Sequence, residues 1–408
     1  MDEITGRLDV DASFKPRLSD IDHEFKIAPL AWHLGNLKAA AKRRLPRGIF
    51  DFIEGGSYDE NTMRANVADL GALRLRQRVL VTTPNRNQHT RILGQRSSMP
   101  VAIAPIGLMG VIYPRGEIHA ARAAQEIGVP FSLSTLSTCT IEEVSAAVRE
   151  PFFFQLYMFK DRAVNAALLQ RAEQARCSAL IVTVDTAVHP RRNRDLDNGM
   201  TVPLKIRPRN VARILAKPRW LISWLRHRPT LANLTPFVPG GADLGTVSVW
   251  AERNYKGAVG IADLEWIRAN WSRKLVVKGV LDPEDAKLAI KLGADAVVVS
   301  NHGGRQLDGA NSTVKAFPAI RDVVGDSAEL LIDSGVRSGL DVLKILGLGA
   351  KACLLGRPFV YGLAAHGQTG VMAALRLIAQ DLDQGMALTG VDDVNSLPSG
   401  RVIDPARA

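Results

Sequence analysis

Apolar, β-branched runs recur along this chain at intervals that leave room for a helix between them. Four precede a basic stretch: PVAIAPIG (100–107), PFSLSTLS (130–137), FFFQLYM (152–158) and ALIVTVDT (179–186). Four follow it: KLVVKGV (274–280), AVVVSNH (296–302), ELLIDSGV (329–336) and KACLLGRP (351–358). Runs this continuous are buried on both faces, as in a parallel sheet. Helical patterns such as EIHAARAAQEIG (117–128) and PEDAKLAIKLG (283–293) fill the gaps and close on glycine. Eight such βα units predict a (β/α)8 TIM barrel, with a doubly wound open sheet as the alternative. Residues 1–29 read as an N-terminal arm, 30–392 as the barrel and 393–408 as a C-terminal tail. Within the barrel unit, 30–98 is a largely helical cap over one end, and 199–248 is an insertion after the fourth strand.

Composition narrows the class. A 408-residue chain with 46% hydrophobic and 23% charged residues is an ordinary well-packed protein. Cys139, Cys177 and Cys353 are too far apart in sequence for a disulfide framework or a metal cluster, so no metal is expected and the compartment is reducing. The opening MDEITGRLDVDASFK lacks the apolar core of a signal peptide. No apolar run reaches the roughly 18 residues of a spanning helix. The net charge of +11 is concentrated: from Asn198 to Ala242 there is no acid, yet the interval holds Lys205, Arg207, Arg209, Arg213, Lys217, Arg219, Arg226 and Arg228.

In a barrel of this class the chemistry sits at the C-terminal ends of the strands. The unusual polar residues fall there repeatedly. Gln155 and Tyr157 close the third strand, Thr183 and Asp185 the fourth, and Lys278 the fifth. Asn301 and His302 follow the sixth, Asp333 and Gly335 the seventh, and Gly356-Arg357-Pro358 the eighth. A single strand-end lysine, aspartate or histidine is more often structural than catalytic. Convergence of so many on one mouth is what argues for a site. Glycines just before the helices after strands seven and eight (DSGVRSG and LLGRP) suit a phosphate bound at helix N-termini.

The stretches SNHGGRQLDG, FFQLYM, TVDT, VVKGVLDPEDA and LIDSGVRSGLDV closely resemble the FMN-dependent 2-hydroxy-acid dehydrogenases and oxidases, over roughly residues 30 to 390. The resemblance implies FMN as cofactor and a small 2-hydroxy acid as substrate. By it, His302 is the base and Asp185 holds its other ring nitrogen. Arg305 and Arg192 would grip the carboxylate, Tyr157 the substrate oxygen, and Lys278 would face the N1–O2 edge of the flavin. Ser134, Gln155, Thr183 and the backbone of Pro105, Ile106 and Gly107 would contact the flavin. Asp333, Gly335, Arg337, Gly356 and Arg357 would take its ribityl chain and phosphate. A homotetramer is expected.

Two features depart from the family pattern or extend it. The family's cap tyrosine, which donates to the substrate carboxylate, is Phe52 here, in FDFIEGG. Together with Leu136, where glycolate oxidase carries tryptophan, this points to a lactate-like or a bulkier, mandelate-like acid. Gly107, alanine in glycolate oxidase, matches the dehydrogenase-type members. The segment RNVARILAKPRWLISWLRHRP (209–229) interleaves cations with Trp220, Leu221, Ile222, Trp224 and Leu225. It reads as a surface for anionic membrane in preference to nucleic acid. That placement, peripheral on the cytoplasmic face of the inner membrane or else cytoplasmic, would suit a quinone as electron acceptor. Competing readings are a soluble oxidase using oxygen, and a non-catalytic barrel that binds membrane or nucleic acid through the basic segment.

Overall fold

The protein is described here from a computed structural model covering residues 31–200, 208–240, 243–398 and 400–403. The 1–29 arm, Lys205 and Arg207 lie outside the described residues. Eight parallel strands close into a barrel: β1 (Val101–Ile106), β2 (Phe131–Ser134), β3 (Phe153–Leu156), β4 (Ala179–Thr183), β5 (Lys274–Val280), β6 (Ala296–Val299), β7 (Glu329–Ile332) and β8 (Ala352–Leu355). Each predicted strand is present, in chain order around the barrel, with β8 pairing back onto β1. The open-sheet alternative is excluded.

Side chains alternate across each strand. Ala102, Ala104, Phe153, Ala179, Ile181, Val276, Ala296, Val298, Leu331, Ala352 and Leu354 form one buried cluster inside the barrel. Their neighbours, including Val101, Phe154, Leu180, Val182, Val277, Val297, Leu330 and Cys353, belong to the outer cluster under the helices. Continuing that period of two past the apolar layers brings Gln155, Thr183, Lys278, Ser300, Asp333 and Gly356 to the inner face at the C-terminal mouth. The same alternation that packs the core therefore delivers the polar ring.

The cap is divided between the two ends of the barrel. Helix α1 (Leu34–Arg44) packs on the helix Arg357–Thr389, while α2 (Arg47–Glu54) and α3 (Asn61–Ala72) reach the mouth, where Asn66 and Asn301 exchange two hydrogen bonds of 2.7 and 2.8 Å. The hairpin of Thr90–Ile92 and Gln95–Ser97 instead plugs the opposite end: Ile92 and Leu93 join the inner cluster, and the Leu93 amide donates to Glu329 at the start of β7. The tail also returns to the body, Val402–Ile403 pairing antiparallel with Arg74–Leu75. The three cysteines are buried and free.

The insertion contains α4 (Pro208–Leu215), α5 (Pro218–His227) and α6 (Leu244–Asn254). The predicted boundary at 248 falls inside α6. That helix starts at Asp243, whose side chain caps it through the Thr246 amide, and capping of this kind is worth about 1 kcal/mol. The tryptophans correct another expectation. Trp220 is buried, donates from Nε1 to the Val111 carbonyl at 2.8 Å and stacks on Trp224. The exposed apolar residues are Val211, Leu215, Ile222 and Leu225.

Candidate active site at the barrel mouth

A ladder of hydrogen bonds crosses the ends of β2, β3 and β4. Ser134 Oγ donates to Gln155 Oε1 and Gln155 Nε2 donates to Thr183 Oγ1, each at 3.0 Å. Thr183 is in register with Lys278 on β5. The Lys278 ammonium is almost fully buried and forms an ion pair with Asp333 at 3.0 Å. It also donates to Ser300 Oγ at 2.9 Å. Burial alone would lower its pKa, but the Asp333 and Asp185 carboxylates more than offset this and raise it. Lys278 is therefore a fixed positive charge. Removing one partner of such a buried pair typically costs about 3–5 kcal/mol.

His302 lies in the left-handed region, φ 59°, which costs a non-glycine residue roughly 1–2 kcal/mol and turns its ring into the mouth. Its Nδ1 faces both Asp185 oxygens, at 3.0 and 3.3 Å, and Nε2 lies 3.4 Å from the Tyr157 hydroxyl. A carboxylate accepts, so Nδ1 carries the proton and Nε2 presents its lone pair. Burial pushes the Asp185 carboxyl up, but His302 and Lys278 hold it below its ordinary range. Asp185 can approach this closely because β5 bulges at Gly279, φ 106°, where a Cβ would meet Asp185 at 2.6 Å. Ser300, which the sequence reading overlooked, is fully buried and accepts from both Lys278 and the His302 amide. Its signal was there: it stands two residues after the inward-facing Val298. Burial, then the Asp185 charge, pushes the Tyr157 hydroxyl well above its ordinary range, so Tyr157 stays protonated and can donate.

The cationic side is organised differently. Arg305 Nη1 donates to the carbonyls of Phe52 and Gly55 at 2.7 and 2.8 Å, and its guanidinium lies over the Phe52 ring, 5.0 Å from the centroid. Burial, and then Arg192 and Arg357, depress its pKa well below the usual value. Arg192 is also depressed by burial, although Asp195, 3.9 Å away, pulls the other way. The buried Nε of Arg192 has no hydrogen-bond partner among the described residues. Two crowded guanidiniums, one with an unmet donor, are what a carboxylate ligand would relieve.

Toward β7 and β8 several residues expected on the phosphate and ribityl chain have partners within the protein. The helix Gly339–Gly347 is capped from within: Ser338 Oγ accepts from Asp341, and Asp341 accepts from the amides of Arg337 and Ser338. By contrast, the helix Arg357–Thr389 begins at Gly356 with no side-chain cap, so its first-turn amides could receive an anion. The Arg357 guanidinium, expected on phosphate, is bonded to the carbonyls of Ile53, Gly55 and Gly303. Burial and nearby Arg337 bring its pKa down to about 10, so it remains charged near neutrality. Asp333, expected on a ribityl chain, pairs with Lys278 and accepts from Ser334. Arg337 uses Nη1 on the Val336 carbonyl.

Polar strand ends around a buried cation, with an uncapped helix start beside them, are the features of a barrel enzyme that binds a phosphorylated cofactor. A family model described as FMN-dependent dehydrogenase matches residues 41–404, and the chain belongs to that family. An L-lactate dehydrogenase of Caulobacter vibrioides is 47% identical over 364 residues, 89% of this chain and 95% of the relative. Another, from Pseudomonas paraeruginosa, is 45% identical over 368 residues, 90% and 96% of the two chains. Among solved structures, the monotopic membrane protein (S)-mandelate dehydrogenase matches with TM-score 0.87 at 36% identity, covering 91% of this chain and 99% of that one. The residues present fit FMN: a buried ammonium at one end of the site, and open helix amides with Arg337 at the other.

Proposed function

We propose that the protein oxidises an L-2-hydroxy acid, lactate- or mandelate-like, to the 2-oxo acid. The observation that carries this is His302, whose Nδ1 is held by Asp185 while Nε2 faces the Tyr157 hydroxyl, beside two guanidiniums. Arg192 and Arg305 bind the substrate carboxylate, Nε of Arg192 gaining the acceptor it lacks. Tyr157 donates to the substrate hydroxyl oxygen. His302 Nε2 removes a proton from the substrate, and Asp185 stabilises the imidazolium that results. Bound FMN supplies the two-electron acceptor. Lys278 would stabilise negative charge on that cofactor. Anaerobic bleaching of the yellow holoprotein by a panel of L- and D-2-hydroxy acids tests the reading. Reduction by L-acids supports it, and bleaching by none of them would overturn it.

We further propose that the electrons pass to a membrane quinone and that the insertion holds the protein at an anionic surface. Exposed Val211, Leu215, Ile222 and Leu225 beside exposed Arg219, Arg226 and Arg228 support this. Each cation near such a surface is worth about 1 kcal/mol and is screened by salt, whereas the aliphatic part is not. No helix among the described residues is long and apolar enough to cross a membrane. Co-sedimentation with anionic vesicles that partly survives high salt is expected. Indifference to vesicles with steep, salt-sensitive DNA binding would reverse the assignment. By the family resemblance Gly107 matches the dehydrogenase-type members; alanine there would bring its Cβ to 2.9 Å from the Leu136 backbone. Rapid reoxidation of the reduced enzyme by oxygen would count against the quinone.

A further inference from the structure

The turn that carries His302 is one that the chain would not keep by itself. Three consecutive residues, His302, Gly303 and Gly304, lie in the left-handed region, with φ 59°, 70° and 74°. The two glycines adopt it freely, but a histidine does not. Each amide of the turn has a side-chain acceptor. The His302 amide donates to Ser300 Oγ at 3.1 Å, that of Gly303 to Ser334 Oγ at 2.9 Å, and that of Gly304 to Asn301 Oδ1 at 3.0 Å. Ser300 and Ser334 are tied in turn to Lys278 and Asp333. Asn301 is tied to the cap.

Its partner there is Asn66 on α3, buried like Asn301 itself. Asn301 Nδ2 donates to Asn66 Oδ1 at 2.7 Å and to the Asn311 carbonyl at 3.1 Å. Its Oδ1 accepts from Asn66 Nδ2 at 2.8 Å as well as from Gly304. The Asn301 amide therefore makes all four hydrogen bonds open to it. Backbone partners fix which end of each amide is which, because the Gly304 and Thr313 amides only donate and the Asn311 carbonyl only accepts. Docking of the cap does not depend on this pair. The start of α3 is anchored by Asp308, which accepts from the amides of Asp59 and Thr62 and from Asn61 Nδ2. What Asn66 adds is a fixed orientation for the side chain that receives the Gly304 amide.

We infer that Asn66 is a positioning residue, acting through Asn301 to keep His302 Nε2 aimed at the substrate. This rests on the reading of His302 as base toward a 2-hydroxy acid. The grip on the substrate carboxylate is held separately: the Arg305 guanidinium is fixed by the carbonyls of Phe52 and Gly55. Loss of Asn66 therefore loosens the base and spares the carboxylate site. A displacement of about 1 Å at a reacting centre can cost on the order of 10²-fold in rate.

The test is anaerobic stopped-flow reduction of the FMN-loaded protein with L-lactate and L-mandelate. Asn66→Ala should lower the limiting rate about ten- to a hundredfold, with the apparent Kd for either acid within about twofold of wild type. Leu70→Ala opens a cavity under the same helix but leaves the amide pair, and it should keep the wild-type rate. A crystal structure of loaded Asn66→Ala should show the His302 ring shifted off Asp185. Asn66→Ser, a milder truncation, repeats each comparison. A wild-type limiting rate in Asn66→Ala, an equal loss in Leu70→Ala, or a loss carried by Kd would each overturn the inference. So would a slowed variant whose His302 has not moved. Failure of both Asn66 variants to fold with FMN would also overturn it, since the residue would then be structural alone. The two readings fail separately: wild type bleached by no acid sinks the proposed function, whereas wild type and Asn66→Ala that bleach equally fast sink only the role of Asn66.

Discussion

The half of the mouth proposed to handle the proton and the half proposed to hold the anion are built on opposite principles. Around His302 the polar atoms are paired: Asp185 with Nδ1, Ser300 with the backbone amide and Lys278, Asp333 with Lys278 and Ser334. Around the arginines the pairing is incomplete: Arg192 Nε has no partner among the described residues, and Arg305 rests on two cap carbonyls and a ring face. Buried groups that are already satisfied cannot reorganise cheaply, which suits a base that must keep one tautomer. Buried donors left short of acceptors store a demand that a ligand meets. The protein thus keeps its chemistry preorganised and leaves its binding energy in reserve.

Breaking the satisfied half should have the largest effect. His302→Ala is expected to slow flavin reduction by about 10²–10⁴-fold while the protein stays yellow, because the base is removed and the cofactor contacts are not. Reduction within tenfold of wild type would reject His302 as the base. Next comes the demanding half. Arg192→Lys keeps a charge but loses the planar fork and its orphaned Nε. One hydrogen bond to a charged group is worth about 1.5–3 kcal/mol, so kcat/KM should fall roughly ten- to a hundredfold. Wild-type kcat/KM in this variant would show that the unmet donor is not a substrate contact.

These halves were not equally legible in the sequence. The proton side follows from period-two alternation: once Phe153, Ile181, Val276 and Leu331 are inside, Gln155, Thr183, Lys278 and Asp333 must point into the mouth. Ser300 obeys the same rule and escaped only because a serine at a strand end looks ordinary. The specific roles of Asp185 and His302 came from the family resemblance. Long-range carbonyls were invisible. Nothing local says that Arg357 reaches back to Ile53 and Gly55, or that Arg305 reaches Phe52, contacts separated by about 250 to 300 residues. The insertion misled for a related reason, since an amphipathic pattern does not reveal which face meets the body. The Val111 carbonyl claims Trp220, and this turns the aliphatic residues outward.

A gain-of-contact change sharpens the comparison at smaller scale. Phe52→Tyr would add a hydroxyl to the ring that already faces Arg305. If the substrate carboxylate lies within its reach, small acids such as lactate should bind up to about tenfold tighter relative to bulkier ones, as one further hydrogen bond would give. An unaltered ratio of KM between lactate and mandelate would show that Phe52 braces Arg305 without selecting the acid.

The smallest effect concerns stability in acid. The folded pKa of Asp185 lies below its ordinary value of 3.8, because the pull of His302 and Lys278 outweighs burial. A carboxyl lowered on folding contributes stability that is fully present above its unfolded pKa. That contribution disappears as pH falls through the folded pKa. The stability difference between wild type and Asp185→Asn should therefore be constant from neutrality down to about pH 5, then shrink below about pH 4. Denaturant midpoints of both proteins, loaded with FMN and measured across that range, provide the check. A difference that persists unchanged into the acid range would mean that Asp185 acts through shape alone, and that the pairing on the proton side owes nothing to its charge.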